Sequence, residues 1–221
     1  MRKVIVFEWM SLDGVVQAPA YTDEDTSGGF KHGGWHLRYF EERSMKWVVE
    51  NIRGAGGFLL GRRTYEVFAA HWPKASQEEQ EFARPLNALP KYVASTTLKE
   101  PLGWQNSVLL DSPIAESVAQ LRREDGGDLL VIGSTELAAA LLAHDLVDEL
   151  RLMIDPIILG GGKRFFRDDG VCLWLSLLKS ETTPTGATLA TYARSGADAP
   201  VGASALPLPR PPRDRGPRST G

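Results

Sequence analysis

The chain has 221 residues, 43% of them hydrophobic and 24% charged, the make-up of a globular protein long enough to bury a core in one domain. A formal charge of -3 argues against a general polyanion binder, since nucleic-acid-binding domains usually present a basic surface, so any basic site must be local. No stretch reaches the roughly 18 apolar residues of a membrane span, and "VIVF" is cut short by Glu8 before it could serve as a secretory leader.

The single cysteine, Cys172, cannot form an internal disulfide and lies in an apolar stretch, which reads as a core thiol. A reducing, cytoplasmic setting is expected, with no membrane and no nucleic acid among the partners.

In chain order, "KVIVFEW", "GFLLG", "KYVAS", "SVLL", "DLLVIG" and "ELRLMI" are short apolar or β-branched runs bounded by turn residues, and each predicts a strand. Helical patterns lie between them over 36–53, 62–71, 76–89, 113–124 and 134–144. Strands alternating with helices predict an α/β sheet covered on both faces. The stretch "VCLWLSLLKSETTPTGATLATYAR" breaks the alternation and predicts a hairpin turning near Thr185 and Gly186, so the mostly parallel sheet closes with an antiparallel pair. Seven of the eight residues in "VCLWLSLL" are apolar, so both faces of that strand call for burial, one of them against a second copy of the chain. A homodimer is the expectation, with a doubly covered internal strand as the alternative. From Ser195 the composition turns to proline, glycine and arginine without apolar periodicity, which divides the chain into a folded domain over 1–194 and a disordered tail over 195–221.

Two segments share one design, an apolar strand that ends in glycine and opens a hydroxyl-bearing helix: "FLLGRRTYEVF" and "LLVIGSTELAAALL". Glycine lets backbone approach a ligand closely, and the unpaired N–H groups of a new helix point toward any anion placed there. Thr64, Ser134 and Thr135 add hydroxyls, although each could simply cap its helix. Arg62 and Arg63 at the positive end of a helix are mildly unfavourable unless something negative joins them. A third strand ends in Ser95 and Thr96, at the carboxyl end where open α/β sheets bind ligands.

Familiar phosphate motifs do not fit. "LGGGKRFF" has Ile157 in place of the first P-loop glycine and Arg164 where Ser or Thr should follow the lysine, and it reads as a tight turn with Lys163 and Arg164 solvated. "GAGGFL" precedes its strand instead of following it. His32 and His36 are separated by two glycines, which argues against a shared helical face for a metal. Glu41 and Glu42 read as solvated.

The pieces "MSLDGVV", "GGW", "LLGRRTYE", "PKYVAST", "VIGSTELAAALLAHDLVDELRLMIDPIILGGGKRFF" and the final hairpin, in that order, resemble the dihydrofolate-reductase-like family, in particular the C-terminal reductase domain of bacterial riboflavin-biosynthesis deaminase-reductases. The resemblance implies a dihydrofolate-reductase-like mixed, mostly parallel sheet with helices on both faces. It also implies NADPH as the cofactor and hydride transfer to a small conjugated heterocycle, pterin- or pyrimidine-like. By matched position Gly61, Arg62, Arg63, Thr64, Ser95 and Thr96 would hold cofactor phosphates. Gly133, Ser134, Thr135 and Glu136 would pack on the pyrophosphate and nicotinamide side, and the loop carrying Asp13, Gly14 and Val16 would close over the nicotinamide. At Gly133-Ser134 the chain departs from dihydrofolate reductases proper, which have Gly-Gly joined by a cis peptide. Asp13 is the acid available in that loop for proton transfer, or else a turn-former. Trp35, Tyr65 and Trp72 are expected near the substrate, with residues 17–35 as a lid. The alternative class is an NADPH-binding sensor or scaffold without turnover.

Overall fold

A computed structural model describes residues 1–110, 113–168 and 172–195. Residues 196–221 of the expected tail lie outside the described residues, as does Val171. The strands are β1 Val4–Ser11, β2 Gly57–Gly61, β3 Lys91–Ala94, β4 Ser107–Leu110, β5 Leu129–Ile132, β6 Glu149–Asp155, β7 Leu175–Thr182 and β8 Thr188–Arg194. The helices are α1 Glu42–Arg53, α2 Arg62–His71, α3 Gln80–Ala88, α4 Ile114–Leu121 and α5 Thr135–Ala143, with short 3-10 turns at Ser27–Gly29, Trp35–Arg38 and Trp72–Lys74. None of these helices is long and apolar enough to cross a membrane.

All eight strands form one sheet in the order β4-β3-β2-β5-β1-β6-β8-β7. From β4 to β6 every neighbour is parallel, and β6·β8 and β8·β7 are antiparallel. Strand alternation divides the core between the two faces. Val4 and Val6 of β1 pack with Val118 and Leu121 of α4 and with Leu137, Ala138 and Leu141 of α5. Ile5 and Phe7 pack on the other face with Trp47, Val48 and Ile52 of α1, Tyr65 of α2 and Leu86 of α3. The central strands are buried from both sides, which is why β5 reads "LLVI" with no polar position.

The hairpin departs from expectation at its start. Its first strand starts at Leu175, so Cys172 precedes it and is exposed, not a core thiol. The strand lies at the sheet edge, which sets aside the alternative of a doubly covered internal strand, and leaves Leu177 and Leu178 exposed.

The glycine turns and the open end of the central strand

In a sheet of this order the chain leaves β1 toward β2 past β5, and leaves β5 toward β6 past β1. The two connections diverge on opposite faces, α1 over one and α5 over the other, and open a crevice at the carboxyl ends of β5 and β1. The pairing shows where it begins: Phe7↔Ile132 is the last β1–β5 pair, yet β1 runs on to Ser11 beside β6. Residues 8–11 therefore overhang the turn that follows β5.

That turn and the one after β2 are locked together. The Ser134 hydroxyl accepts from Gly61 N at 3.0 Å and donates to Thr64 Oγ1, also at 3.0 Å, while Thr64 Oγ1 donates to Gly133 O at 2.8 Å. Both hydroxyls are thus used to join the turns, and neither Ser134 nor Gly61 gives a side-chain cap to its helix. The helix-capping alternative fails, and the first N–H groups of α2 and α5 keep their capacity to bind an anion. Gly133 has φ +58, a left-handed conformation that suits glycine, and the Gly133–Ser134 peptide is trans.

Neighbouring basic groups are unequally placed. Arg62 is exposed and paired with Glu66 one helical turn on, at 3.0 Å. Arg63 is exposed and makes no ion pair among the described residues. Ser95 accepts from the Thr97 and Leu98 amides, at 3.1 and 3.0 Å, and shapes the turn after β3, with Thr96 exposed at its tip. Glu136 is exposed and paired with Arg167.

On the β1 side, the loop after Ser11 is stapled to the glycine-rich segment 157–165. Asp13 accepts from Ser11 Oγ at 2.7 Å and from the Leu159 and Gly160 amides at 3.1 and 3.0 Å, with Arg164 beside it. Burial pushes this carboxyl up, but these hydrogen bonds together outweigh it and hold the group below its ordinary range, hence charged. Gly14, at φ +84, makes the bend, and Val16 is buried with its N–H on Lys163 O. Lys163 and Arg164 are therefore stitches, pairing with Asp25 and Asp13, and not simply solvated.

Segment 17–35 is tied down by Gln17, which donates to the Asp25 and Ser27 carbonyls, each at 3.0 Å, and accepts from Lys163 N at 3.0 Å. Between this segment and the glycine-rich loop lies an open cleft of about 410 Å³, lined by residues that include Ser27, Phe30, His32 and Lys163. Trp35 is buried and donates to Gln17 O at 2.8 Å. Tyr65 and Trp72 are not brought to the crevice. Tyr65 is buried with its hydroxyl on Trp104 N. Trp72 lies beyond the far end of α2, its carbonyl held by Asn87, next to the Lys91 that begins β3. A helix of ten residues spans about 15 Å, so Trp72 belongs to the amino edge of the sheet.

Two buried ionisable sites were not visible in the sequence. His36 Nδ1 meets Asp155 Oδ2 at 2.8 Å, with side chains 7% and 0% exposed, inside a cage of Trp9, Trp35 and Phe40. His36 Nε2, Asp155 Oδ1 and Trp9 Nε1 have no hydrogen-bond partner among the described residues. Burial raises the Asp155 carboxyl, and the imidazole only partly offsets that. On β1, facing away from Trp9, Glu8 is 3% exposed and its Oε2 has no partner among the described residues. Burial pushes Glu8 up to about 8; Thr135 interacts with the carboxyl and opposes the shift, and Glu24 adds to it. Glu41 is not solvated either: it caps α1, accepting from the Arg43 and Ser44 amides, each at 2.9 Å.

A doubly wound sheet whose switch-point crevice is flanked by two interlocked glycine turns defines the class of open, doubly wound α/β proteins. Within that class the chain belongs to the RibD C-terminal domain family, whose profile matches residues 2–189. It is 29% identical over 140 residues to the uncharacterized protein YyaP of Bacillus subtilis, covering 62% of this chain and 73% of that protein. Two crystal structures share the fold. A putative riboflavin biosynthesis protein from Shewanella sp. PV-4 superposes with TM-score 0.65 at 23% identity, covering 88% of this chain and 99% of that one. A pyrimidine reductase-like protein from Corynebacterium diphtheriae gives TM-score 0.59 at 14% identity, over 88% and 92%.

Proposed function

We propose that the protein is an NADPH-dependent reductase acting on a small conjugated heterocycle, of the kind the riboflavin-pathway and pyrimidine-reductase-like names of its relatives suggest. One observation carries the reading. Ser95–Thr96, the Gly61 turn, the Gly133 turn and the Asp13 loop follow parallel neighbours β3, β2, β5 and β1, so they stand in line along one edge. Three strand spacings make that line about 14 Å long, a reach suited to an extended dinucleotide. Its order suits 2′-phosphate, pyrophosphate and nicotinamide in turn. Arg62, Arg63, Ser95 and Thr96 would take the 2′-phosphate end, the starts of α2 and α5 the pyrophosphate, and the overhanging end of β1 the nicotinamide.

The cofactor supplies the hydride; the chain has to orient it, exclude water and provide a proton. Asp13 is poorly suited to give that proton, because its carboxyl is charged and occupied with the 159–160 amides; it serves to hold the loop. The substrate would enter the open cleft beside segment 17–35, where Phe30 and His32 offer ring faces to a flat heterocycle. The test is a titration with NADPH and NADH, followed by cofactor oxidation across pterins, pyrimidines and quinones. Preferential NADPH binding with turnover of at least one class is expected. Tight binding without any turnover would favour a sensor, and equal or absent binding of both cofactors would overturn the reading.

A further inference from the structure

Glu8 stands at the most sensitive point of the crevice. It is the first residue of β1 past the last pairing with β5, so it overhangs the Gly133 turn, and the side chain interacting with it, Thr135, is the first residue of α5. Oε2 is enclosed and has no partner among the described residues. The charged group acting on it is an anion, Glu24 of the 17–35 segment, and no cation among the described residues pairs with it. A carboxylate so placed would oppose phosphate binding at the α5 N-terminus, whereas a carboxylic acid offers a hydrogen-bond donor to an oxygen. We propose that Glu8 is a cofactor-binding residue that acts as a neutral carboxylic acid, its Oε2–H donating to an acceptor oxygen of the dinucleotide at the start of α5.

The proposal rests on the NADPH reading and adds to it a proton bound together with the cofactor. Burial keeps Glu8 protonated up to about pH 8 in the free protein. Cofactor binding to the acid form raises that value further, so affinity is complete below pH 8 and declines as pH rises through it, by up to about tenfold per pH unit. Lys91 is also lowered to about 8 by burial, but it lies at the start of β3 on the amino edge, away from the crevice.

The experiment measures the NADPH dissociation constant between pH 6.5 and 9.5 for wild type, Glu8→Gln and Glu8→Ala. Wild type should weaken above pH 8; Glu8→Gln, whose amide still donates, should hold its neutral-pH affinity with the slope abolished; Glu8→Ala should bind weakly at every pH. Repeating the series with 2′-phospho-ADP-ribose, which lacks the nicotinamide, assigns the acceptor: a surviving slope places it on phosphate, a lost slope on the carboxamide. The wild-type series stands by itself if the variants fail to fold. NADPH binding that is independent of pH, or a slope unchanged in Glu8→Gln, would overturn the Glu8 contact alone. No NADPH binding at any pH would overturn the cofactor reading together with it.

Discussion

At single residues the carboxyl edge combines groups that stabilise the fold with groups that strain it. Ser134 is of the first kind: 5% exposed, it serves the Gly61 amide and Thr64 together. Ser134→Ala strips a half-buried amide of its acceptor and should cost about 1–3 kcal/mol in urea denaturation. Glu8 is of the second kind. Its pKa of about 8 in the fold lies above the ordinary 4.5, so the stability it contributes is complete below pH 4.5 and lost as pH rises to 8. Glu8→Gln should remove that slope and stabilise the protein at pH 7, on the order of 2–3 kcal/mol by calorimetry, a gain typical of replacing a functional group. For cofactor choice, Arg62→Ala should weaken NADPH about tenfold to a hundredfold while leaving NADH almost unchanged. Glu66→Gln releases Arg62 from its surface pair and should tighten NADPH by about twofold, because such pairs are weak.

At the level of elements, the sequence was legible wherever a periodic run met a strong punctuator. "GFLLG" and "SVLL" are the strands β2 and β4 to the residue, and the helix after "GFLLG" starts and ends at Arg62 and His71 as its pattern predicts. The pattern over 36–53 is instead broken at Tyr39–Glu41, and the reason is local: Glu41 and Ser44 form a capping box that starts α1 afresh at Glu42. Glu41→Ala should therefore cost about 1 kcal/mol in thermal unfolding and leave NADPH affinity alone, whereas a substrate-anchoring role would show in turnover. What stayed hidden depends on lengths and distant partners. Thr64 and Ser134 meet across 70 residues, His36 and Asp155 across 119. Glu8 looks like an outward position of an alternating strand, and only the early end of β5 turns it into a buried acid above a glycine turn.

Over the whole molecule, the eight-stranded sheet has one edge that is hard to leave bare. Among the described residues β7 pairs with β8 alone; it exposes Leu177 and Leu178 at 54% and 58%, and Trp174 just before it is 61% exposed. An apolar edge strand is a template for another chain, and we propose that a second copy covers it. Light scattering at micromolar concentration should give the dimer mass and Leu178→Lys the monomer mass; a wild-type monomer would remove the proposal. The centre of the sheet has a different consequence, one that concerns synthesis. β1 is made first but lies between β5 and β6, so Val4 waits for Leu129 and Ile5 for Glu149. At roughly 5–20 residues per second, this largely buried strand spends about 6–25 s on the ribosome with neither neighbour available. Until then "VIVF" is a bare apolar segment, and β2, β3 and β4 have no central strand to build on. Nascent chains stalled before residue 129 should be digested readily by protease, with resistance arising in one step after β6 and the closing hairpin have left the exit tunnel.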